Sequence, residues 1–277
     1  MVGWLAHRHA PGNASERLAV DGDGGQTFDE YVATVTRPSA SERVIYLQPF
    51  DQVPMLSDHC LSSLAEFTGA FFGLDVRVLS SLALDPATLT SRLARDTGRP
   101  QVFAPDLLLQ LLAVKPADAF CLIGITASDL FPTQIVNFAF GEASASCRVG
   151  VCSVARYGPP FCVDTPDEHQ GAMRRRCCRV IAHEIGHIAG IEHCVYFRCL
   201  MNGSASLVES DRRPLHLCPI DLGKLRWLLG FDLEQRYRRL QRFWLDAGDH
   251  QEAGWMAGQL EAPLGWRGRL ATLMGRG

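Results

Sequence analysis

Three histidines in one short stretch constrain this chain more than any other feature of its sequence. The stretch His183–Met201 reads HEIGHIAGIEHCVYFRCLM. His183 and His187 are four residues apart, so on a helix both project from one face, within reach of one metal ion. Glu184 lies between them and can act on a metal-bound water without ligating the metal. The pattern predicts a metal-binding helix.

The residues after this helix extend the pattern. Gly190 is predicted to end the helix, and His193 to return from the following loop as a third nitrogen ligand. Met201 is predicted to support the site from below as a Met-turn. A bare HExxH occurs by chance in many surface helices, but the extended pattern fixes further positions and is far more specific. With HExxHxxGxxH and a later Met, the chain resembles the metzincin zinc proteases.

Three neutral imidazoles on one zinc ion predict hydrolytic chemistry. Such a site leaves a fourth position for water, and zinc lowers the pKa of that water from about 16 toward about 7. Glu184 would accept the proton of this water as general base and pass it to the leaving amine as general acid. We therefore predict a zinc metallopeptidase whose partners are peptide or protein substrates.

Composition agrees with a soluble enzyme. The 277 residues carry a net charge of −3, which argues against nucleic acid as a partner. No apolar stretch approaches the roughly 20 residues that span a membrane, and the first residues do not have the pattern of a secretion signal. The 10 cysteines are then expected to be reduced thiols and metal ligands of a cytoplasmic protein. The oligomeric state stays open.

Apolar patterning predicts an α/β fold, with a mixed β-sheet flanked by helices. Strands are predicted at 44–50, 75–84, 119–126, 137–143 and 148–157. Helices are predicted at 55–72, within 86–115, and at about 170–190, 221–230 and 233–248. The last two strands are predicted to form a hairpin, and its edge around 137–141 to bind an extended peptide.

The chain is predicted to have three parts. They are a flexible N-terminal extension (1–42) with a short helix near 28–34, a single peptidase domain (43–248) and a disordered tail (249–277). Within the domain, an upper subdomain (43–190) would carry the active-site helix. A lower subdomain (191–248) would carry a cysteine-rich segment and a small group of helices.

A second group of candidate ligands follows the third histidine. Its members are Cys194, Cys199, Cys218 and Asp221. A Cys-x4-Cys pair followed by half of a CxxC is close to the layout of a tetrahedral structural zinc site. In these residues the chain resembles the archaemetzincins, whose signature HExxHxxGxxHC-x4-C-x-M with a distal CxxC is matched from His183 to Cys218. The resemblance covers roughly residues 44–235.

The resemblance implies more than the residues alone. It implies a metzincin-like zinc peptidase fold with a small helical C-terminal subdomain. It implies a catalytic zinc at His183, His187 and His193, with a second, cysteine-ligated zinc beside it. It also implies peptidase activity, which is aminopeptidase-like in some members of the family.

One position departs from the family signature, because the last cysteine of the CxxC is Asp221 here. Aspartate can ligate zinc through oxygen at about 2.0–2.2 Å, so three cysteines and Asp221 can form a site, although a harder one than four thiolates. Alternatively, Asp221 caps the helix that starts there. The sequence leaves both roles open.

Two other functions match parts of the sequence. A catalytically silent zinc-binding protein would be marked by an altered Glu184, whereas this glutamate and the three histidines are intact. A thiol-based metal or redox sensor is suggested by the adjacent Cys177 and Cys178, which are otherwise expected to be buried thiols. That function leaves the histidine pattern unexplained.

Overall fold

The computed structural model describes residues 24–50, 57–158 and 167–261. They fall into two compact units. The first, called here the sheet unit, consists of Pro38–Gly69 and Leu74–Ala189. The second, called the helical unit, consists of the residues up to Arg37, Ala70–Gly73, and the chain from Gly190 onward.

Strands and helices alternate in the first half of the chain, and helices alone follow. The strands are β1 (Val44–Pro49), β2 (Asp75–Val78), β3 (Ser91–Leu93), β4 (Pro100–Phe103), β5 (Ala119–Thr126), β6 (Asp129–Phe131), β7 (Gly141–Ser144) and β8 (Val149–Ser153). The helices are α1 (Phe28–Thr34), α2 (Asp58–Phe72), α3 (Ala104–Val114), α4 (Asp167–Ile188), α5 (Leu207–Arg212), α6 (Pro219–Leu229), α7 (Leu233–Asp246) and α8 (His250–Glu261). None of the helices in the described ranges is long and apolar enough to cross a membrane.

The sheet unit is built on a five-stranded sheet with the order β2-β1-β5-β8-β7. The first four of these strands run parallel, and β7 pairs antiparallel with β8 at one edge. The central strands β1 and β5 are buried along their whole length, as expected for parallel strands covered on both faces. A smaller sheet has the order β3-β4-β6.

Helices α3 and α4 cover opposite faces of the large sheet. On β5, Gly124 leaves room for Leu111 of α3, whose Cδ1 lies 2.9 Å from the position of a Cβ at residue 124. Ile123, the preceding residue, points to the other face, where it lies with Ile188 of α4 around Gly150. The sequence places small residues in the strands where the helices approach closely, and this fixes α4 on the sheet.

The helical unit packs the N-terminal arm against α6. Thr27 and Glu30 form a capping box at the start of α1. Tyr31 on α1 is fully buried, with its ring 5.9 Å from that of Trp227 on α6 in an edge-to-face arrangement. The arm preceding α1 is therefore part of the folded unit from residue 24 onward.

The mixed α/β fold agrees with the prediction from the sequence. The strands predicted at 44–50 and 119–126 are β1 and β5, and the predicted hairpin is formed by β7 and β8. The prediction of one or two helices at 86–115 is wrong in its first half, which contains β3 and β4. These strands are short and half-exposed, so they carry no alternating apolar pattern.

Four further expectations are corrected by the structure. The strand predicted at 75–84 ends at Val78. The tail predicted as disordered contains α8, where Ala253 and Met256 are buried; residues 262–277 lie outside the described residues. The extension predicted as flexible is folded over residues 24–37, while 1–23 lie outside the described residues. Cys60, expected as a reduced thiol, is disulfide-bonded.

Candidate metal centres

Two of the predicted zinc ligands lie side by side on α4. The Nε2 atoms of His183 and His187 are 3.1 Å apart, and their rings are perpendicular, at 87°. Two imidazoles on one tetrahedral zinc, each at 2.0–2.1 Å, place their nitrogen atoms about 3.3 Å apart. The pair therefore has the separation that a shared zinc ion requires.

Glu184 lies between these histidines and is only 5% exposed. Its carboxylate packs against Gly141 at the start of β7, where a Cβ would lie 2.5 Å from Oε1. Such a distance is far below van der Waals contact, so the carboxylate occupies this position only because residue 141 has no side chain. The HExxH motif does not predict this contact between Glu184 and Gly141.

Cys152 on β8 is a buried thiol close to this carboxylate. Burial raises its pKa well above the ordinary value, and the charge of Glu184 raises it further. Cys152 therefore stays a neutral thiol beside the Glu184 carboxylate. Cys177 and Cys178 are buried as expected, and burial raises the pKa of Cys177 to about 12.

The segment before β7 is held by an arginine that the sequence analysis missed. Arg92 donates hydrogen bonds to the carbonyl oxygens of Gln134, Val136 and Asn137 at 3.0, 2.6 and 2.9 Å. The buried Gln101 donates to the same Asn137 carbonyl at 2.9 Å. These bonds fix the chain that leads into β7. The sequence does not predict them, because every residue has a backbone carbonyl and only the fold determines which ones lie near Arg92 and Gln101.

In the helical unit, Gly190 has the conformation that the sequence predicts for the residue ending the motif helix. Its φ of 82° lies in the left-handed region, two residues after the end of α4. A Cβ at this position would lie 2.6 Å from Val35 Cγ2. Both the backbone and the packing therefore require glycine here.

The chain between His193 and Met201 forms a closed loop. His193 is half-buried and directly precedes Cys194, whose N–H donates to the carbonyl of Met201 at 2.9 Å. Asn202, which the sequence analysis did not select, donates from Nδ2 to the Cys194 carbonyl at 2.6 Å and accepts from the Cys199 N–H at 2.8 Å. The buried Asn202 side chain thus links the backbones of two candidate ligands, Cys194 and Cys199.

The second group of predicted ligands converges in the interior of the helical unit. The ligand atoms of Cys194, Cys199, Cys218 and Asp221 all lie within 4.8 Å of one another, and all four residues are buried. The sulfur atoms of Cys194 and Cys218 are 3.8 Å apart. Two thiolates on a tetrahedral zinc, each at about 2.3 Å, are also about 3.8 Å apart. The donor set and its spacing fit a zinc ion.

The interpretation of Asp221 as the N-cap of α6 is wrong. The N-cap is Cys218, whose sulfur accepts the Asp221 N–H at 3.4 Å, and Pro219 occupies the first helical position. Asp221 lies in the first turn, with Oδ2 3.2 Å from the sulfur of Cys199. Its carboxylate therefore faces the thiols.

Burial changes the pKa values of the side chains in this cluster. It raises the pKa of Cys199 and Cys218 well above the ordinary value, and that of Asp221 to about 6. The pKa of Cys194 is lowered, because the thiols of Cys199 and Cys218 hydrogen-bond to its sulfur. Burying so many acidic groups together favours their protonated forms unless a cation balances their charge.

Comparisons with known proteins agree with these arrangements. The model of peptidase family M54 matches residues 108–226. Archaemetzincin-2 of Rattus norvegicus is 34% identical over 269 residues, which cover 87% of this chain and 75% of that protein. Archaemetzincin-2 of Homo sapiens is 35% identical over 267 residues, covering 86% and 73%.

Solved structures show the same fold. The crystal structure of an archaemetzincin from Methanopyrus kandleri matches with a TM-score of 0.54 and 28% identity, over 70% of this chain and 99% of that one. A zinc-dependent peptidase from Methanocorpusculum labreanum matches in fold with a TM-score of 0.52 and 24% identity, over 65% and 99%.

The fold and the matching relatives define this protein as a zinc metallopeptidase with a mixed α/β fold. The resemblance noted in the sequence is confirmed over most of the chain. The chain belongs to the archaemetzincins, peptidase family M54.

Proposed function

We propose that this archaemetzincin hydrolyses peptide bonds at a zinc ion held by His183, His187 and His193. The observation that carries the proposal is the 3.1 Å separation of the first two Nε2 atoms on α4, which fits a shared zinc. His193 follows His187 by six residues, at the spacing of the metzincin pattern. Zinc, when bound, supplies a Lewis acid that polarises a carbonyl and lowers the pKa of a water.

Glu184 is the proposed proton carrier. Its carboxylate lies one residue after the ligand His183, is shielded from solvent, and is confined by Gly141. From there it accepts a proton from the attacking water and returns it to the nitrogen of the leaving amine. Cys152 nearby stays a neutral thiol, so it does not compete as a base.

The edge of β7 is the proposed binding surface for an extended peptide. This strand is terminal in the described sheet, so its outer backbone groups can pair with a further strand. Its first residue, Gly141, touches Glu184, so a peptide on this edge would run past the proton carrier. The carbonyls held by Arg92 and Gln101 keep the entry to this strand in place.

A second, structural zinc is proposed at Cys194, Cys199, Cys218 and Asp221. The 3.8 Å separation of two of the sulfur atoms and the burial of all four residues support it. The loop closed by Asn202 carries two of these ligands together with His193 next to them. Met201, the proposed Met-turn residue, is fully buried in the same loop.

The specificity, partners and location of this protein are proposed from its sequence and its family resemblance. Aminopeptidase-like action is proposed from the family resemblance, and the absence of nucleic-acid and membrane partners from the small net charge and the apolar pattern. A cytoplasmic location stays a prediction. The thiol-based sensor is not proposed, since burial and a raised pKa disfavour the reactive thiolate at Cys177.

Peptide hydrolysis tests the proposed function. Pairs of peptides with free and acetylated N-termini are incubated with the zinc-loaded wild type and with Glu184→Gln, whose zinc content is measured in parallel. We expect the variant to keep its zinc and to lose about 10²–10⁴ in kcat. Unchanged hydrolysis by Glu184→Gln contradicts the proposed role of Glu184. Equal cleavage of free and acetylated peptides contradicts only the aminopeptidase-like specificity.

A further inference from the structure

Lys224 is a buried cation beside the proposed second zinc site. Its side chain is 2% exposed, and its Nζ donates hydrogen bonds to Asp221 Oδ1 at 2.9 Å and to the Gln26 carbonyl at 2.7 Å. It also lies 5.8 Å from the centre of the Tyr31 ring. An ammonium group is costly to bury, so a lysine in this position requires such partners.

The two oxygens of Asp221 have different neighbours. Oδ1 accepts from Lys224, whereas Oδ2 lies 3.2 Å from the sulfur of Cys199 and 3.4 Å from that of Cys218. A carboxylate that ligates zinc through one oxygen is free to rotate or to bind through both unless the second oxygen is held. Hydrogen bonds to such ligands from outside the metal site fix their orientation.

Lys224 is itself held in place by the N-terminal arm. Gln26, whose carbonyl accepts from the lysine, donates from Nε2 to the Gly190 carbonyl at 3.1 Å. The Tyr31 ring that faces the ammonium is fully buried against α6. The lysine is therefore held within the helical unit by the Gln26 carbonyl as well as by the Asp221 carboxylate.

We propose that Lys224 is a positioning residue of the second zinc site, which holds Asp221 as a ligand through Oδ2 alone. Asp221 and Lys224 then act as a pair, and the lysine acts on the metal through the carboxylate. This inference rests on the second zinc site proposed above.

A double-mutant cycle on zinc affinity tests the pairing. The affinity of the second site is measured by competition with a chromogenic chelator in Lys224→Met, Asp221→Cys, the double variant and the wild type. We expect Lys224→Met to weaken zinc binding by about 10–100-fold. In the Asp221→Cys background the loss is expected to be clearly smaller, because a thiolate has no second ligand atom to orient. If Lys224→Met weakens zinc binding equally in the wild-type and Asp221→Cys backgrounds, to within about twofold, the two residues act independently and the proposal is overturned.

Zinc X-ray absorption reports the ligands directly. In His187→Ala, which removes a ligand of the proposed catalytic zinc, the remaining zinc is expected to have three sulfurs at about 2.3 Å and one oxygen at about 2.0–2.2 Å. Adding Lys224→Met is expected to lengthen the zinc–oxygen distance or to remove the oxygen ligand. An unchanged oxygen contribution overturns the proposal. If Lys224→Met does not fold, rescue of folding by Asp221→Cys supports the pairing, and failure of that double variant contradicts it.

The same measurements separate this inference from the site on which it rests. If Cys199→Ala leaves the zinc content of the wild type unchanged, the second zinc site itself is wrong, and the inference with it. If Cys199→Ala removes one zinc while Lys224→Met leaves affinity unchanged, only the role of Lys224 is wrong.

Discussion

At the scale of single residues, the position of Glu184 depends on a glycine in another element. The motif predicts the glutamate, but nothing in the motif predicts that its carboxylate packs against Gly141 on β7. The histidines and cysteines could be predicted because metal ligands recur at fixed spacings. Arg92, Gln101 and Asn202 could not, because their partners are backbone groups brought close only by the fold.

Gly141→Ala tests the importance of this contact. The added Cβ would lie 2.5 Å from Glu184 Oε1, so the carboxylate must move. Since a displacement of about 1 Å can cost about 10²-fold in rate, we expect a fall in kcat of this order with zinc content unchanged. Gly258→Ala on α8, where an added Cβ meets nothing within 4 Å, is the control and should retain full activity. Wild-type kcat in Gly141→Ala would show that Glu184 does not need its observed position.

At the scale of elements, the sequence predicts well those elements that carry a motif or a continuous apolar run. The histidine spacing predicts the motif helix α4, and the apolar runs predict the buried strands β1 and β5. The strands β3, β4 and β6 are three or four residues long, too short for a pattern to show. The start of α6 was misplaced, because Pro219 begins the helix two residues before Asp221.

The end of the motif helix can be tested with two glycines of similar conformation. Gly190 and Gly230 both have left-handed backbones, with φ of 82° and 73°. An alanine Cβ at 190 would meet Val35 at 2.6 Å, whereas one at 230 meets nothing within 4 Å. Both alanine variants lose stability from backbone strain, and we expect Gly190→Ala to lose about 1–3 kcal/mol more from overpacking. Urea unfolding measures both; equal losses would mean that the Val35 contact relaxes without cost.

At the scale of the whole molecule, zinc is expected to stabilise the fold. Lys224 supplies only one positive charge beside four buried acidic ligands in the helical unit, so we expect zinc to bind the folded chain more tightly than the unfolded one. The composition of the chain could not show this coupling. The sequence also does not predict α8, because its buried residues Ala253 and Met256 lie in a Gly-containing segment without a strong apolar pattern.

Thermal unfolding with and without a zinc chelator measures this coupling. We expect zinc to raise Tm, with a stabilisation of about 4 kcal/mol when free zinc exceeds Kd 1,000-fold. Cys199→Ser should lose most of this zinc-dependent increase, because it removes a ligand of the buried cluster. Cys147→Ser, at a half-buried free cysteine outside the cluster, is the matched control and should keep it. Equal zinc dependence in both variants would contradict the structural role of the second site.

The most direct test of the central claim is the zinc content of the purified protein, measured by elemental analysis for the wild type, His187→Ala and Asp221→Ala. The claim is that one zinc is held by the three histidines and a second by the cysteines with Asp221. It predicts two zinc ions per chain in the wild type and one in each variant. If His187→Ala retained the zinc content of the wild type, the proposed catalytic centre would be wrong.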